Sequence, residues 1–152
     1  MALSFLMWCT VYKKNKMMKL KLVGPLIATM LPIGSENIEE DTEDADDSPS
    51  KLAFQVVNSL ATNLPPAQVF PEAMQHIILF MQDQDPRRRK SAMLTLSVLV
   101  DGCADHMRSK VDEYFPLLCH GLQDPVIHVR KGACIALGSI AGKNYFLILR
   151  CS

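Results

Sequence analysis

The second half of the sequence contains two copies of one apolar pattern, which align without a gap at a step of 41 residues, and this repeat limits the folds that are open to the chain. Apolar side chains at positions 70, 74, 77, 78 and 81 follow the spacing of one face of an α-helix. Their counterparts at 111, 115, 118, 119 and 122 are apolar as well, and the polar motif Gln82-Asp83 recurs as Gln123-Asp124. We call the helix that carries this first pattern helix A.

A second helical face follows each first one. Apolar residues at 92, 96, 99 and 100 recur at 133, 137, 140 and 141, and positions 53, 57, 60 and 61 carry the same pattern upstream at a step of 39. We call this helix B. A further copy of helix A begins near Val23, at a step of 47, and the excess in this step falls where an acidic run lies. The chain therefore contains about three A–B pairs, the first with a charged insertion.

Turn residues predict where these helices begin and end. Asp85-Pro86 and Asp124-Pro125 are typical of helix starts. The aspartate carboxylate can cap the first turn, and the proline takes the first helical position, where a backbone N–H would have no partner in the helix. Gly102 and Gly142 predict the ends of the two later B helices. We expect the lysine-rich segment 13–22 to begin the first helix A.

The sequence predicts an all-α fold, an α-solenoid of about three HEAT helix-pair repeats forming a right-handed superhelical segment. One helix pair cannot bury its apolar faces alone, and a period near 40 is typical of HEAT units, with three-helix armadillo units as the rival. The predicted boundaries are an atypical segment 1–16, repeats over 17–64 (with an acidic loop 34–48), 65–103 and 104–142, and an atypical tail 143–152.

Composition argues against several functional classes. The chain has 152 residues, no net charge and five cysteines without a CxxC motif. We therefore expect neither a disulfide framework nor a metal site, and no cofactor. The apolar start of the chain is too short to span a bilayer, so we expect no membrane association. No nucleophile, base and orienting group occur in a recognisable pattern, so we expect no enzyme activity.

Three stretches, "DDSPSKLAFQVVNSLATNLPP", "QDPRRRKSAMLTLSVLVDGCADHMR" and "GLQDPVIHVRKGACIALGSIAG", resemble consecutive HEAT repeats of the importin-β (karyopherin-β) family of nuclear transport receptors. The resemblance covers roughly residues 17–142, and both ends depart from it. It implies part of a longer nuclear import receptor found in cytoplasm and nucleus. The implied partners are a cargo protein with a basic localisation signal, Ran GTPase and Phe-Gly nucleoporins, with no direct nucleic-acid binding.

The resemblance makes the acidic run a candidate partner-binding loop, because such loops in this family are associated with Ran and cargo. The alternative is a solvated linker. The candidate residues are Glu39, Glu40, Asp41, Glu43, Asp44, Asp46 and Asp47.

A basic cluster, residues 87–90, recurs in part at 130–131. In HEAT stacks an arginine at this place often pairs with an aspartate of the adjoining repeat. We therefore interpret Asp85 (or Asp83), Arg89, Asp124 and Arg130 as inter-repeat structural residues. An acidic protein surface or nucleic acid is the alternative partner for the cluster.

The function that follows is protein–protein recognition by part of a nuclear import receptor. The alternative is a generic HEAT-repeat scaffold without transport activity, like a phosphatase subunit or a condensin arm.

Overall fold

The computed structural model describes residues 2–36 and 48–143, and these residues form eight α-helices and no strand. The helices are α1 (Ala2–Tyr12), α2 (Lys14–Lys19), α3 (Val23–Gly34), α4 (Pro49–Asn63), α5 (Pro66–Met81), α6 (Pro86–Arg108), α7 (Val111–Leu122) and α8 (Ile127–Lys143).

The helices pack as three A–B pairs: α3 with α4, α5 with α6, and α7 with α8. The B helices α4, α6 and α8 stack on one another in one layer, and the A helices α3, α5 and α7 stack in a second layer. The predicted all-α solenoid of helix pairs is confirmed, with two helices per unit rather than three.

The first helix extends this stack beyond the predicted repeats. Helix α1 packs against α4 as the later B helices pack on each other, so the segment 1–16 supplies a further B-type helix. The hydroxyls of Thr10 and Ser59 are hydrogen-bonded across this contact. Within the described part of the chain, no helix is both long enough and apolar enough to cross a membrane.

Most of the positions that the repeat predicts as apolar face the core between the two layers. The largest fully buried side chains are Tyr114, Phe70, Ile27, Leu31, Leu60, Ile77, Met93, Leu96, Leu99, Met107, Leu118 and Ile140. The prediction of a core position is wrong for two residues, because Ile78 is 38% exposed and Leu137 is 40% exposed. Leu137 lies on the last helix of the stack, where no further pair within the described residues covers it.

Gly102 does not end helix α6, contrary to the sequence prediction. The helix continues to Arg108, so the predicted boundary between residues 103 and 104 falls inside it. Gly102 instead lets α4 and α6 approach closely, because a Cβ at this position would overlap the backbone carbonyl of Ala61. Gly142 likewise lies inside α8, which is described as far as Lys143.

The lysine-rich segment forms the separate short helix α2 and does not begin the first helix A, which starts at Val23. Lys21 follows α2 in a left-handed backbone conformation with φ of 51°. The N–H of Leu22 donates to the Met17 carbonyl at 3.1 Å, as in the glycine-favouring motif that ends many helices. This turn separates α2 from α3.

We predict that Gly102→Ala destabilises the fold by about 1–3 kcal/mol, because the added methyl group meets rigid backbone. Gly138→Ala is the matched control, since nothing lies within 4 Å of its Cβ position. This control should stabilise the fold by about 0.5–1 kcal/mol through helix propensity. Urea unfolding measures both, and equal effects of the two substitutions would contradict the close contact of α4 and α6.

We also predict that Lys21→Gly raises stability by roughly 0.5–1 kcal/mol, because glycine adopts the left-handed conformation without strain. Lys16→Gly, in the middle of α2, should instead lower stability by about 1 kcal/mol. Thermal unfolding of the two variants at equal protein concentration checks this opposite sign. A loss of stability in Lys21→Gly would mean that the turn is not strained.

Candidate functional site

The two turns that join helix A to helix B in the second and third pairs are built in the same way. In the first of them, Oδ1 of Asp83 accepts a hydrogen bond from the N–H of Asp85 at 2.8 Å. In the second, Oδ1 of Asp124 accepts from the N–H of Val126 at 2.9 Å. Each aspartate therefore folds its own turn, and the two occupy equivalent positions of the repeat.

An arginine closes each of these turns from the following B helix. Nη1 of Arg89 donates to the carbonyls of Asp83 and Gln84, at 2.9 and 2.8 Å. Nη1 of Arg130 donates to the carbonyls of Asp124 and Pro125, at 2.8 and 3.0 Å. The step of the repeat is thus reproduced in hydrogen bonds as well as in apolar positions.

One charged pair joins two neighbouring turns. Nε of Arg89 donates to Oδ2 of Asp124 at 2.7 Å, and its Nη2 donates to Oδ1 at 3.1 Å. The Asp124 side chain is 2% exposed and the Arg89 side chain is 12% exposed. A two-point contact of this kind fixes direction as well as distance, so it ties the second helix pair to the third in one register.

The protonation behaviour of both groups follows from this contact. The hydrogen bond from Arg89 to Asp124 raises the pKa of Arg89 above its ordinary value. Burial alone raises the pKa of Asp124, but the hydrogen bonds from Arg89 and from the Val126 N–H outweigh it, and the net pKa is lowered. Both groups are therefore held in their charged forms at neutral pH.

The other two predicted inter-repeat residues lie within single repeats. Asp85 caps α6, as its position before Pro86 predicts, and its carboxylate accepts from the N–H and Nε of Arg87. Arg130 binds its own turn. Asp124 does not cap α8, which begins at Ile127, because its carboxylate is taken by the Val126 N–H and by Arg89.

The sequence contained the signal that separates these aspartates. The Gln-Asp motif recurs at a step of 41, whereas the prolines at 86 and 125 are separated by a step of only 39. Asp124 is therefore the counterpart of Asp83 and not of Asp85. The prediction that both Asp-Pro steps begin a helix treated them as equivalent.

The first two arginines of the basic cluster also have partners inside the molecule. Arg87 pairs with Asp85 at 3.2 Å, and Arg88 pairs with Asp83 at 2.9 Å. The Arg88 guanidinium also lies 5.5 Å from the centre of the Phe80 ring. Both arginine side chains stay about half exposed, so the partnered charges line the surface of this turn.

The acidic candidates Glu39, Glu40, Asp41, Glu43, Asp44, Asp46 and Asp47 lie outside the described residues. The residues on either side are described. Helix α3 ends at Gly34 and α4 begins at Pro49, where the Ser48 hydroxyl accepts from the Lys51 N–H at 3.3 Å. Ser50 donates to the Gly34 carbonyl at 2.9 Å, which joins the two helix ends. The insertion therefore lies between helix A and helix B of its pair.

In the described part of the chain, no three His, Cys, Asp or Glu side chains are grouped to hold a metal ion. Burial raises the pKa of the Cys103 thiol to about 11, so this thiol is protonated at neutral pH. A protonated, buried thiol is a packing group rather than a nucleophile.

Comparisons with known proteins agree with this geometry. A family model described as a HEAT-like repeat matches residues 86–140. Probable importin subunit beta-4 of Schizosaccharomyces pombe is 34% identical over 141 residues, which cover 93% of this chain and 13% of that protein. Importin-4 of Mus musculus is 35% identical over 147 residues, with 85% and 13% covered.

A solved structure supports the fold. The crystal structure of Kap121p bound to Nup53p matches with a TM-score of 0.87 at 21% identity, covering 98% of this chain and 16% of that chain. Stacked A–B pairs with this match define a HEAT-repeat solenoid. The chain belongs to the importin-β (karyopherin-β) family, and it spans 13% of the length of the curated relatives named above.

We predict that Asp124→Asn lowers the free energy of unfolding by about 3 kcal/mol at pH 7, because it leaves the Arg89 charge buried without its partner. The loss should shrink with acidification. The lowered pKa of Asp124 means that the pair stabilises the fold above the ordinary value of 3.8, and that this contribution is lost as the pH falls through the folded value.

Urea unfolding from pH 7 to pH 3 measures this difference. Arg88→Gln is the control, because it removes an exposed pair on the same turn and should change stability little at any pH. The role of the Arg89–Asp124 pair would be contradicted if the free energies of unfolding of Asp124→Asn and of the unaltered chain differed by the same amount from pH 7 down to pH 3.

Proposed function

We propose that this chain is a protein-recognition segment of a nuclear import receptor, which carries cargo proteins through nuclear pores under the control of Ran GTPase. Membership of the importin-β family is the observation that carries the proposal. The solved relative Kap121p is bound to Nup53p, so a solenoid of this fold does bind other proteins. A receptor of this kind works in both cytoplasm and nucleus, by binding and release rather than by catalysis.

We further propose that the acidic residues 39–47 attract a cargo protein with a basic localisation signal, or Ran. Half of the sixteen acidic residues of the chain lie in positions 36–47. The insertion joins α3 to α4, and the corresponding turns of the later pairs carry their charges as pairs with arginines. A dense group of like charges attracts a basic segment from a distance and speeds its encounter.

The proposed role of the Arg89–Asp124 pair is to hold the second and third helix pairs in register. Arg87 and Arg88 are already partnered inside their own turn, which favours a structural role over binding an acidic protein or a nucleic acid. A rigid stack would hold the two described ends of the insertion, at Gly34 and Pro49, in place while the acidic segment binds its partner.

The A layer offers a surface for the Phe-Gly motifs of nucleoporins. On α5, Leu79 is 63% exposed and Ile78 lies beside it, also exposed. Apolar side chains on an outer helical face suit short aromatic motifs that bind weakly and release quickly. This part of the proposal rests on exposure together with membership of the family.

We predict that a peptide containing five lysines binds the chain with an affinity that falls steeply with salt, because long-range attraction between charges is screened. Neutralising the seven acids at 39–47 to Asn and Gln should weaken binding at low salt by about tenfold, which corresponds to about 1.4 kcal/mol. Fluorescence anisotropy across a series of salt concentrations, from low to well above physiological, measures both effects.

The control is matched in number: it neutralises Asp105, Asp112 and Glu113, which are exposed acids outside the insertion, and it is compared with a variant in which only Glu39, Glu40 and Asp41 are neutralised. This control should retain binding. If the two sets of substitutions weaken binding equally, the acidic segment has no particular role.

The alternative function, a scaffold without transport activity, is tested by a pulldown with Ran loaded with a non-hydrolysable GTP analogue or with GDP. A pure scaffold would bind neither form or both equally.

A further inference from the structure

The outer side of α1 exposes three aromatic rings in a row. Phe5, Trp8 and Tyr12 are spaced as one face of a helix, and they are 63%, 45% and 67% exposed. The ring centroids of Phe5 and Trp8 are 6.0 Å apart, and those of Trp8 and Tyr12 are 5.2 Å apart. The other side of the helix packs on α4, where Thr10 is fully buried. Helix α1 therefore has one face in the stack and one aromatic face in solvent.

A group of lysines follows this aromatic face directly. All five lysines of residues 1–35 lie between positions 13 and 21, all of them are exposed, and these 35 residues contain no Asp, Glu or Arg. Among the ion pairs between described residues, none includes one of these lysines. Glu72 on α5 lies against Gly24 just beyond this segment, so it offsets at most one of the five charges.

Helix α2 holds the lysines beside α1. Only Lys13 separates the two helices, and its N–H donates to the Cys9 carbonyl at 2.8 Å. Met17 anchors α2 in the core, where it is 4% exposed, and Met18 packs against the core in part. The aromatic rings and the lysines thus belong to one continuous surface of the first two helices.

The aromatic face differs from the faces through which the later B helices pack on one another. The buried residues of α4, α6 and α8 are aliphatic, small, sulfur-containing or hydroxyl-bearing, and none of them is aromatic. Helices α4 and α6 approach so closely that Gly102 meets the backbone of Ala61. Three neighbouring rings would hold a second helix further away. The outer face of α1 is therefore suited to a different kind of contact.

We propose that the aromatic face of α1 and the five lysines bind the surface of an anionic lipid bilayer. Trp and Tyr have an apolar body and a polar tip, which suits the boundary between headgroups and acyl chains. Lysines beside them are attracted to a leaflet that carries negative headgroups. A helix of this kind lies in the plane of the interface. The sequence-based expectation of no membrane association considered only a spanning segment, which such a contact does not need.

Two other occupants of this surface fit less well. A second copy of the chain that docked through the same face would bring five lysines against five lysines. An acidic peptide would neutralise the lysines, but α1 offers it the convex side of a single helix rather than a groove. Such a peptide would leave the three rings largely exposed, whereas a lipid surface covers rings and lysines together. The proposal is independent of cargo and of Ran.

The test uses Trp8 as the reporter, because it is the only tryptophan of the chain. The full chain is titrated with phosphatidylcholine vesicles that contain or lack phosphatidylserine. With the anionic vesicles, we expect Trp8 emission to move to shorter wavelength and to be quenched by brominated acyl chains. Neutral vesicles should bind at least about tenfold more weakly. Soluble glycerophosphoserine, which has the headgroup without the bilayer, should leave the emission unchanged.

A pair of lysine substitutions tests the charged part of the surface. Lys13→Gln combined with Lys14→Gln should weaken binding to the anionic vesicles at least about tenfold, because each lysine near the bilayer adds to the attraction. The matched control is Lys51→Gln combined with Lys131→Gln, which removes two exposed lysines elsewhere and should change binding little.

A pair of aromatic substitutions tests the apolar part. Phe5→Ser combined with Tyr12→Ser should weaken binding at least about tenfold, because less apolar surface then leaves water. Its control is Ile127→Ser combined with Ile135→Ser, which changes two apolar residues of α8 that are each 53% exposed. Circular dichroism checks that every variant keeps the helix content of the unaltered chain.

Several results would overturn the proposal. These are equal Trp8 shifts with neutral and anionic vesicles, or equal loss of binding in either pair of substitutions and its control. A Trp8 shift of the same size with polyglutamate would assign the surface to an acidic protein segment instead. A dimer in light scattering without lipid, abolished by Phe5→Ser with Tyr12→Ser, would assign it to a second copy of the chain.

Discussion

No helix pair in this chain buries its apolar faces alone, so each pair depends on the pair beside it. Leu96 illustrates this dependence, since it is fully buried on α6 and its counterpart on α8 is not. Burying such a side chain contributes about 1.5–3 kcal/mol. Stability in this architecture is therefore a sum of contributions within pairs and between neighbours, and the central helices gain the most from it.

Apolar contact between stacked helices only weakly determines how far they slide or rotate against each other. Polar contacts in the turns fix this register. The A–B turns of the second and third pairs are each folded by their own aspartate and arginine, and Arg89 then reaches Asp124 in the next turn. The direction of this contact makes one register more stable than its alternatives. In the sequence, the acidic insertion falls at the A–B turn of the first pair, between the ends of α3 and α4.

The sequence predicted the pairs, their order and most of their core, because those features depend only on periodic apolar positions. It failed where the outcome depended on a neighbouring helix. Gly102 was expected to end a helix, but the deciding factor is the backbone of Ala61 on α4. Leu137 was expected to be core, but it lacks a covering pair. Lys21 adopts a left-handed conformation that no rule for lysine predicts.

The charged residues of the candidate site were predicted only in part, because their partners also depend on neighbouring parts of the fold. The recurrence of arginine and aspartate at one interval indicated that they belong to the scaffold. Which aspartate each arginine binds depends on the geometry of the turn. In the sequence, this geometry is indicated only by the different steps at which the Gln-Asp motif and the prolines recur. The acidic insertion has no counterpart in the other pairs, so the repeat carries no information about its shape.

Native-state hydrogen exchange tests the claim that neighbouring pairs stabilise each other most directly. Amide protons in the middle of α6, which has a stacked B helix on both sides, should exchange only through global unfolding, and those of α8 should exchange at a lower free energy. Equal protection of α6 and α8 would contradict the account, because it would mean that a neighbour on the second side adds nothing.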